Sequence, residues 1–328
     1  MFFSIVVPLY NRPQEMDELL DSLTRQVYQH FEVLIVEDGS RRPAEHLLAR
    51  YQDRLDLHYF RKENEGQGFA RNYGFARAKG DYFIVFDSDV LVPENYLQTV
   101  LQGIQSHSWD AFGGPDAAHP SFSALQKAIS YSMTSPFTTG GIRGNKQHVG
   151  QFHPRSFNMG ISRKTYEQTG GFKLSRQSED IEFSIRMIEQ GLRVGLIPEA
   201  FVYHKRRSTL AQFFKQTYNF GKGRIVIYRL FPKELKAVHA LPAVFVLGLI
   251  GLLLLNLLQL SVTAGGAFLG WLCYLGNSLL SLYIGLLFLH AWYSTKNLKV
   301  ALLALASAFT QLCAYGLGFL TEMLNLKK

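Results

Sequence analysis

Cysteine is scarce in this chain of 328 residues, and charge is missing from a long C-terminal stretch. Both cysteines, Cys273 and Cys313, lie in apolar segments, so the polar part of the chain has no thiol for a disulfide or a thiolate metal site. The sequence also has no internal repeat, no heptad pattern and no low-complexity segment. Its length excludes a disulfide-stapled miniprotein, and its thiol content suits a reducing compartment.

Charged side chains divide the chain into two parts. Residues 1–236 carry 55 of the 60 charged residues, whereas residues 237–295 contain no Asp, Glu, Lys or Arg. One helix needs about 20 apolar residues to cross a bilayer, so this run must hold more than one span. We predict three transmembrane helices, at residues 241–260, 267–292 and 300–320. A buried helical core domain is the alternative, although uncharged segments of this length exceed what water-soluble cores use.

Basic residues beside these segments predict the orientation of the chain. Nine Lys and Arg residues lie between residues 205 and 236, ahead of the first segment, and Lys296 and Lys299 separate the second from the third. The positive-inside rule then places the large N-terminal domain in the cytosol. Lys327 and Lys328 fall on the opposite side under this assignment. We therefore expect an integral protein of the plasma or inner membrane with a cytosolic domain.

Short β-rich runs alternate with helical stretches in the polar part. Strands are predicted at residues 2–9, 31–36, 57–60 and 82–86, and helices at residues 13–26, 43–50 and 68–78. This alternation predicts an α/β domain with a mostly parallel sheet and helices on both faces. The strands are continuous apolar runs such as Val33-Leu34-Ile35-Val36, as a sheet buried on both faces requires.

Polar residues follow each of these strands within a few positions. They are Tyr10 to Arg12, Glu37 to Ser40, Asn64 to Gly66, and Asp87 to Asp89. Ligands of such sheets bind beyond the carboxyl ends of the strands, so we expect one site there. Asp87 and Asp89 repel each other unless a cation joins them, and the pair predicts a hard divalent ion shared with a diphosphate. The alternative is that both acids cap a turn.

Six motifs, in this order and spacing, resemble the family 2 glycosyltransferases of the GT-A fold. They are Ile5 to Asn11, the Glu37-Asp38-Gly39-Ser40 turn, Asn64-Glu65-Gly66 with Ala70-Arg71-Asn72, Asp87-Ser88-Asp89, Asn158-Met159 with Gly170-Gly171-Phe172, and Ser178-Glu179-Asp180 with Arg186. The resemblance covers about residues 3–205. It implies a Rossmann-like GT-A domain that transfers a sugar from a nucleotide diphosphate donor with inversion and without a covalent enzyme intermediate.

The resemblance implies a role for each matching residue. Asp180 looks like the general base, with Glu179 as its catalytic neighbour. Asp87 and Asp89 look like ligands of a divalent cation, Mn²⁺ or Mg²⁺, and His204 resembles a third ligand. The donor-binding residues implied in this way are Pro8, Tyr10, Asn11, Asp38 as the nucleobase contact, Asn64, Gly66, Arg71, Asp87 and Ser88.

These roles have structural alternatives. Glu179 and Asp180 begin an amphipathic helix, where acids complement the helix N-terminus. Arg71 follows a glycine-containing helix entry and either binds a phosphate or belongs to a plain helix start. A histidine at a strand end, such as His204, is more often structural than a ligand in a site otherwise built of oxygens.

The Gln-x-x-Arg-Trp motif of processive relatives is absent, and residues 218–224 read Tyr-Asn-Phe-Gly-Lys-Gly-Arg. This absence predicts single sugar transfers rather than polymer extrusion. We predict a catalytic domain at residues 1–208, a basic and aromatic segment at 209–236, and a membrane domain at 237–328. The middle segment either lies on an anionic membrane surface or packs as an ordinary helix.

The function expected from the resemblance is transfer from a nucleotide sugar, a UDP-sugar by preference, to a lipid-linked or membrane-proximal glycan acceptor. The partners expected are this donor, the acceptor and the membrane, and no nucleic acid. A second hypothesis is a polyprenyl-phosphate glycosyltransferase, because a phosphate acceptor needs little help from a base. A third is a catalytically inactive membrane scaffold with a sugar-nucleotide fold, against which the intact carboxylates argue.

Overall fold

The structure is a computed structural model that describes residues 1–139, 152–261 and 267–325. Lys327 and Lys328 lie outside the described residues. Two compact units are present, and each is contributed by two stretches of the chain. Within the described residues, the first unit comprises 1–120 and 152–205, and the second comprises 121–139 and 206–325.

The described residues contain strands and helices as follows. The strands are β1 (Phe3–Leu9), β2 (Phe31–Asp38), β3 (Asp56–Lys62), β4 (Tyr82–Phe86), β5 (Val90–Leu91), β6 (Ala111–Gly113), β7 (Asp116–Ala117), β8 (Asn158–Ser162), β9 (Val194–Leu196) and β10 (Val202–His204). The α-helices are α1 (Pro13–Leu23), α2 (Leu48–Tyr51), α3 (Gln67–Phe75), α4 (Tyr96–His107), α5 (Ala124–Thr134), α6 (Pro136–Thr139), α7 (Arg163–Thr169), α8 (Glu179–Glu189), α9 (Leu210–Leu230), α10 (Leu241–Ser261), α11 (Ala267–Thr295) and α12 (Leu298–Leu324).

A seven-stranded sheet forms the centre of the first unit, in the order β3-β2-β1-β4-β8-β6-β9. Strands β1 to β4 run parallel to one another, whereas β8 runs antiparallel to both β4 and β6. The predicted α/β class with a mostly parallel sheet is therefore confirmed. A second sheet of three short strands, β5-β10-β7, brings β10 beside the end of β4.

Both faces of the large sheet are buried. On one face Ile5 packs into a core that includes Leu20 of α1. On the other face the next residue, Val6, packs into a core with Phe75 of α3 and Phe183 of α8. Successive strand residues point to opposite faces, which explains why the central strands are apolar throughout.

The helix predicted at residues 43–50 is observed only from Glu45 onward and is not a regular α-helix. The chain instead forms a 3₁₀ turn at Glu45–Leu47 and then the single helical turn α2. A carboxylate oxygen of Glu37 accepts a hydrogen bond from the Ala44 amide at 2.9 Å. This tertiary bond holds the backbone where the predicted helix would begin, so it overrides the local preference for a helix.

Three helices of the second unit, α10, α11 and α12, are long and apolar enough to cross a membrane. This confirms the predicted number of apolar helices in the described residues. The observed α11 continues to Thr295, and α12 runs from Leu298 to Leu324, beyond the predicted bounds at both ends.

Helix α9, the basic and aromatic segment, packs along α12. A Cβ atom at Gly221 would lie 2.1 Å from the carbonyl oxygen of Tyr315, and one at Gly318 would lie 2.1 Å from that of Tyr218. The two backbones approach so closely that only glycine fits at these positions. The two interpretations of this segment were an ordinary packed helix and a helix that lies on a membrane surface. Ordinary packing describes the face of α9 that meets α12. Phe214 of the same helix is 40% exposed.

An acid near the end of α12 reinforces this contact. Glu322 forms ion pairs with Arg229 at 2.8 Å and with Lys222 at 3.4 Å, both on α9. Two of the basic residues ahead of the apolar helices therefore pair within the second unit.

Residues 121–139 belong to the second unit, although the predicted boundary at residue 208 assigns them to the catalytic domain. Helix α5 buries Ala128 and Tyr131 in a core with residues of α11 and α12, including Leu287 and Ala304. The Tyr131 hydroxyl and Nδ1 of His290 are hydrogen bonded at 2.7 Å. The compact units therefore do not follow the order of the chain.

Candidate active site

A cleft of about 310 Å³ lies at the carboxyl ends of β1 and β2. This volume is within the range of small-molecule sites. Five of the predicted donor-binding residues line the cleft, together with three residues outside that prediction. The lining residues are Pro8, Leu9, Tyr10, Asp38, Asn64, Gly66, Gln67 and Arg176. The structure thus brings together the ends of β1, β2 and β3, as expected for a parallel sheet.

Asp38 organises the loop after β3. One carboxylate oxygen accepts hydrogen bonds from the amide of Glu65 at 3.0 Å and from Lys62 Nζ at 3.1 Å, and the other accepts one from the Gly66 amide at 2.8 Å. The Asn64 side chain donates to the Asp38 carbonyl oxygen at 2.6 Å. Gly66 has a φ of 105°, which suits glycine. Asp38 therefore fixes the shape of the cleft wall in which it lies.

Asn11 and Ser88 lie away from the cleft lining. Asn11 has a φ of 56°, and its side-chain oxygen accepts hydrogen bonds from the amides of Arg41 at 2.8 Å and Arg42 at 3.2 Å. Asn11 thereby ties the loop after β1 to the loop after β2. Ser88 is buried between the two acids of its motif.

Asp87, Asp89 and His204 form a cluster at the end of β4, and one ligand atom from each lies within 4.8 Å of the others. Strand β10 carries His204 to this position by pairing with β5, so that Nε2 lies 3.1 Å from a carboxylate oxygen of Asp89. Two carboxylates and one imidazole match the ligand types of Mn²⁺, and the carboxylates alone match Mg²⁺. The three predicted metal ligands are therefore together and fit a divalent cation.

Two arginines contact the same acids. Arg12 pairs with Asp89. Arg71 is fully buried and donates to Asp87 at 2.7 Å and to Glu179 at 2.8 Å. Because each acid already has a cationic partner, the cluster carries less excess negative charge than its acids alone would give. Arg71 lies outside the cleft lining and links the acids of β4 to those of α8.

Glu179 and Asp180 occupy the first turn of α8 but have different surroundings. The Glu179 side chain is 7% exposed, and that of Asp180 is 19% exposed. Burial raises the pKa of the Glu179 carboxyl to about 7, the neighbouring Asp180 adds to the shift, and Arg71 opposes it. Asp180 accepts a hydrogen bond from the Ile181 amide at 2.8 Å, as acids at a helix N-terminus commonly do.

Hydrogen bonds connect the cleft to the acids. Gln67, which lines the cleft, donates to Glu179 at 3.3 Å. Glu179 in turn binds Arg71, which binds Asp87. The cleft, the acids of α8 and the cluster at the end of β4 therefore belong to one polar network.

Several basic and polar residues of the site were missed by reasoning from sequence. They are Lys62, Gln67, Arg155 and Arg176, while Arg12 was grouped with the polar residues after the first strand but was given no role. Arg155 lies 3.7 Å from Asp180, and Arg176 pairs with the Asn64 side chain. Arg12 and Lys62 each stand within a few residues of a strand end, and this position was the signal available in the sequence.

Comparisons with known proteins agree with this architecture. A family model described as glycosyl transferase family 2 matches residues 4–175. An uncharacterized glycosyltransferase of Rickettsia typhi is 39% identical over 95 residues, which are 29% of this chain and 29% of the relative. The glycosyltransferase AglE of Haloferax volcanii is 23% identical over 73% of this chain and 78% of its own length. The matches span 19% to 29% of the lengths of three Rickettsia relatives.

One solved structure similar to this chain is a mannosyltransferase of Pyrobaculum calidifontis, determined in complex with GDP-Man and Mn²⁺. The TM-score is 0.62 at 18% sequence identity, and the alignment covers 94% of this chain and 86% of that one. At this identity the likeness concerns the fold. It confirms the predicted GT-A class.

Proposed function

Since this chain belongs to glycosyl transferase family 2, we propose that it transfers a sugar from a UDP-sugar to a lipid-linked or membrane-proximal glycan acceptor. The transfer inverts the anomeric centre, depends on Mn²⁺ or Mg²⁺ and adds one sugar at a time. The observation that carries the proposal is the cluster of Asp87, Asp89 and His204, joined through one polar network to a cleft of small-molecule size.

Donor binding follows from the chemistry of the cleft. Tyr10 is 52% exposed and offers an aromatic face for a nucleobase, and Asp38 offers a carboxylate in the same wall. Arg176 supplies a cation in the cleft for a phosphate group. A divalent cation held by Asp87, Asp89 and His204 would neutralise the charge that develops on the leaving diphosphate.

The acids of α8 divide the work of proton transfer. Glu179, with its pKa raised to about 7, retains a proton below neutral pH. Asp180 is the more exposed acid and takes the proton of the acceptor hydroxyl group. The hydroxyl oxygen then bonds to the anomeric carbon from the face opposite the diphosphate, as the bond between that carbon and the diphosphate breaks. Neighbouring carboxyls in unlike surroundings commonly take different roles of this kind.

The apolar helices suit an enzyme that works at a membrane. Helices α10, α11 and α12 are long and apolar enough to span a bilayer. By the positive-inside rule, the basic residues ahead of α10 favour a cytosolic position for the catalytic domain. A lipid-borne acceptor and the enzyme would then be concentrated on one surface.

A polyprenyl phosphate is the second candidate acceptor. The observation that favours it is the guanidinium of Arg155, 3.7 Å from Asp180. An arginine beside the proposed base suits an acceptor phosphate, which is largely deprotonated near neutral pH. In that case Asp180 would position Arg155 and would not act as a base.

Release of nucleoside diphosphate tests the proposal directly. The full chain in detergent is assayed with UDP-sugars and other nucleotide sugars, with and without polyprenyl phosphate, in Mn²⁺ and in Mg²⁺. We expect Asp89→Ala to abolish metal-stimulated release and Asp53→Ala, at an exposed loop acid, to leave it unchanged. Full activity of Asp89→Ala would contradict the metal assignment, and release that requires polyprenyl phosphate would select the second acceptor.

A further inference from the structure

A second cluster of side chains of the types that ligate metals lies at the opposite ends of the strands from the proposed active site. Glu32 of β2 pairs in register with Asp56 of β3, and Leu34 pairs with His58. Residues paired in register and residues two apart on one strand share a face of the sheet. Glu32, Asp56 and His58 therefore project on the same face. Glu32 precedes Asp38 by six residues, about 20 Å of strand.

The Glu32 side chain is fully buried, and only one of its two carboxylate oxygens accepts hydrogen bonds among the described residues. One of its oxygens, Oε1, accepts hydrogen bonds from Ser4 Oγ and from the Lys79 amide, each at 2.6 Å. The other, Oε2, is buried without a hydrogen-bond partner among the described residues. A buried carboxylate oxygen left in this state is costly unless a cation approaches it.

His58 faces this oxygen. Its Nε2 lies 3.2 Å from Glu32 Oε2 and 3.2 Å from a carboxylate oxygen of Asp56. Within the described part of the chain, this nitrogen also lacks a hydrogen-bond partner. One ligand atom from each of the three side chains lies within 4.8 Å of the others.

These separations suit a shared metal ion. Ligand atoms about 2.1 Å from a metal are about 3.0 Å apart at an octahedral angle and about 3.4 Å apart at a tetrahedral angle. The observed 3.2 Å falls between the two values. The His58 side chain is 30% exposed and that of Asp56 is 56% exposed, so water can reach the remaining coordination positions.

We propose that Glu32, Asp56 and His58 form a second metal site that binds Zn²⁺ or a similar first-row transition metal. One imidazole nitrogen and two carboxylate oxygens are ligands that zinc accepts, and the imidazole disfavours Mg²⁺ and Ca²⁺. Because β3 is an edge strand of the large sheet, the ion would join its amino end to β2 and stabilise that edge. The proposal does not depend on the catalytic activity of the protein.

Zinc binding to the full chain in detergent, measured by equilibrium dialysis with elemental analysis, tests this site. All variants carry Asp89→Ala, because this change removes the zinc that the cluster of Asp87, Asp89 and His204 would bind. We expect Asp89→Ala to retain one zinc equivalent, and the double variant with His58→Ala to lose it. The double variant with His46→Ala, which changes an exposed histidine, keeps the ion.

Asp56→Asn in the same background provides a second, conservative test on a largely exposed side chain. It should weaken zinc binding and reduce the rise in unfolding temperature that zinc produces in Asp89→Ala. Absence of a zinc equivalent in Asp89→Ala would overturn the proposal, as would undiminished zinc binding after His58→Ala.

Discussion

Replacing Glu179 by glutamine tests the electrostatics of the acids on α8. Glutamine keeps the size of the side chain and removes its titration. In the folded chain the pKa of Glu179 is about 7, against a reference value of 4.5, because burial and Asp180 disfavour the ionised form. Between these two values the unfolded chain loses this proton and the folded chain keeps it. Stability of the wild type must therefore fall as pH rises through this window.

The size of the effect follows from the two pKa values. The interval from 4.5 to about 7 corresponds to about 3 kcal/mol, at about 1.4 kcal/mol per pH unit. Below pH 4.5 the group is protonated in both states, and above about 7 it is ionised in both. The free energy of unfolding of the wild type, relative to Glu179→Gln, should thus decline by about 3 kcal/mol across this window and stay constant outside it.

Urea titrations between pH 4 and 8 measure this difference. Trp109 is the only tryptophan of the first unit, so Trp271→Phe and Trp292→Phe in all proteins make fluorescence report on that unit. Glu189→Gln, at an exposed position on the same helix, is the control and should follow the wild type. A difference between wild type and Glu179→Gln that does not change with pH would refute the reasoning.

The remaining predictions concern the base and the packing of α9. Asp180→Asn should preserve donor affinity in a calorimetric titration and lower turnover by about 10²- to 10⁴-fold, since it removes the proposed general base. Lost donor affinity would move Asp180 to the donor site, and unchanged turnover would favour a phosphate acceptor. Gly318→Val should destabilise the second unit by about 1–3 kcal/mol in thermal unfolding, because its Cβ meets a carbonyl oxygen of α9. Gly248→Val, which meets open space, should not, and equal stability of the two variants would contradict the close approach.

Continuous apolar runs were sufficient to predict the four parallel strands β1 to β4 of the large sheet. The strand predicted at residues 82–86 is observed as Tyr82–Phe86, because a strand buried on both faces is a continuous apolar run. The helix predicted at residues 43–50 begins only at Glu45 and is divided into a 3₁₀ turn and one α-helical turn, since Glu37 binds the Ala44 amide and no local pattern encodes that bond. The number of apolar helices also followed from local patterns, since the uncharged run at residues 237–295 holds two of them and the apolar stretch at residues 300–320 predicted the third.

The types of residue at the site were also predictable from the sequence. The acids and amides that follow the strands meet because the carboxyl ends of parallel strands share one edge. Their partners were not predictable. Arg71, read as a phosphate ligand or a helix start, also bridges Asp87 and Glu179, which are 16 and 108 positions away.

The sequence by itself determined the α/β class, the family motifs, the apolar helices and the acids that follow the strands, because each depends on local periodicity or on short spacings. Only the tertiary structure decided which of those acids are paired, which is buried enough to raise its pKa, and that α5 packs with α11 and α12. It also brought His58 within reach of Glu32, 26 positions earlier. Such pairings depend on strand register and on burial, which arise from contacts between distant segments and leave no periodic trace in the chain.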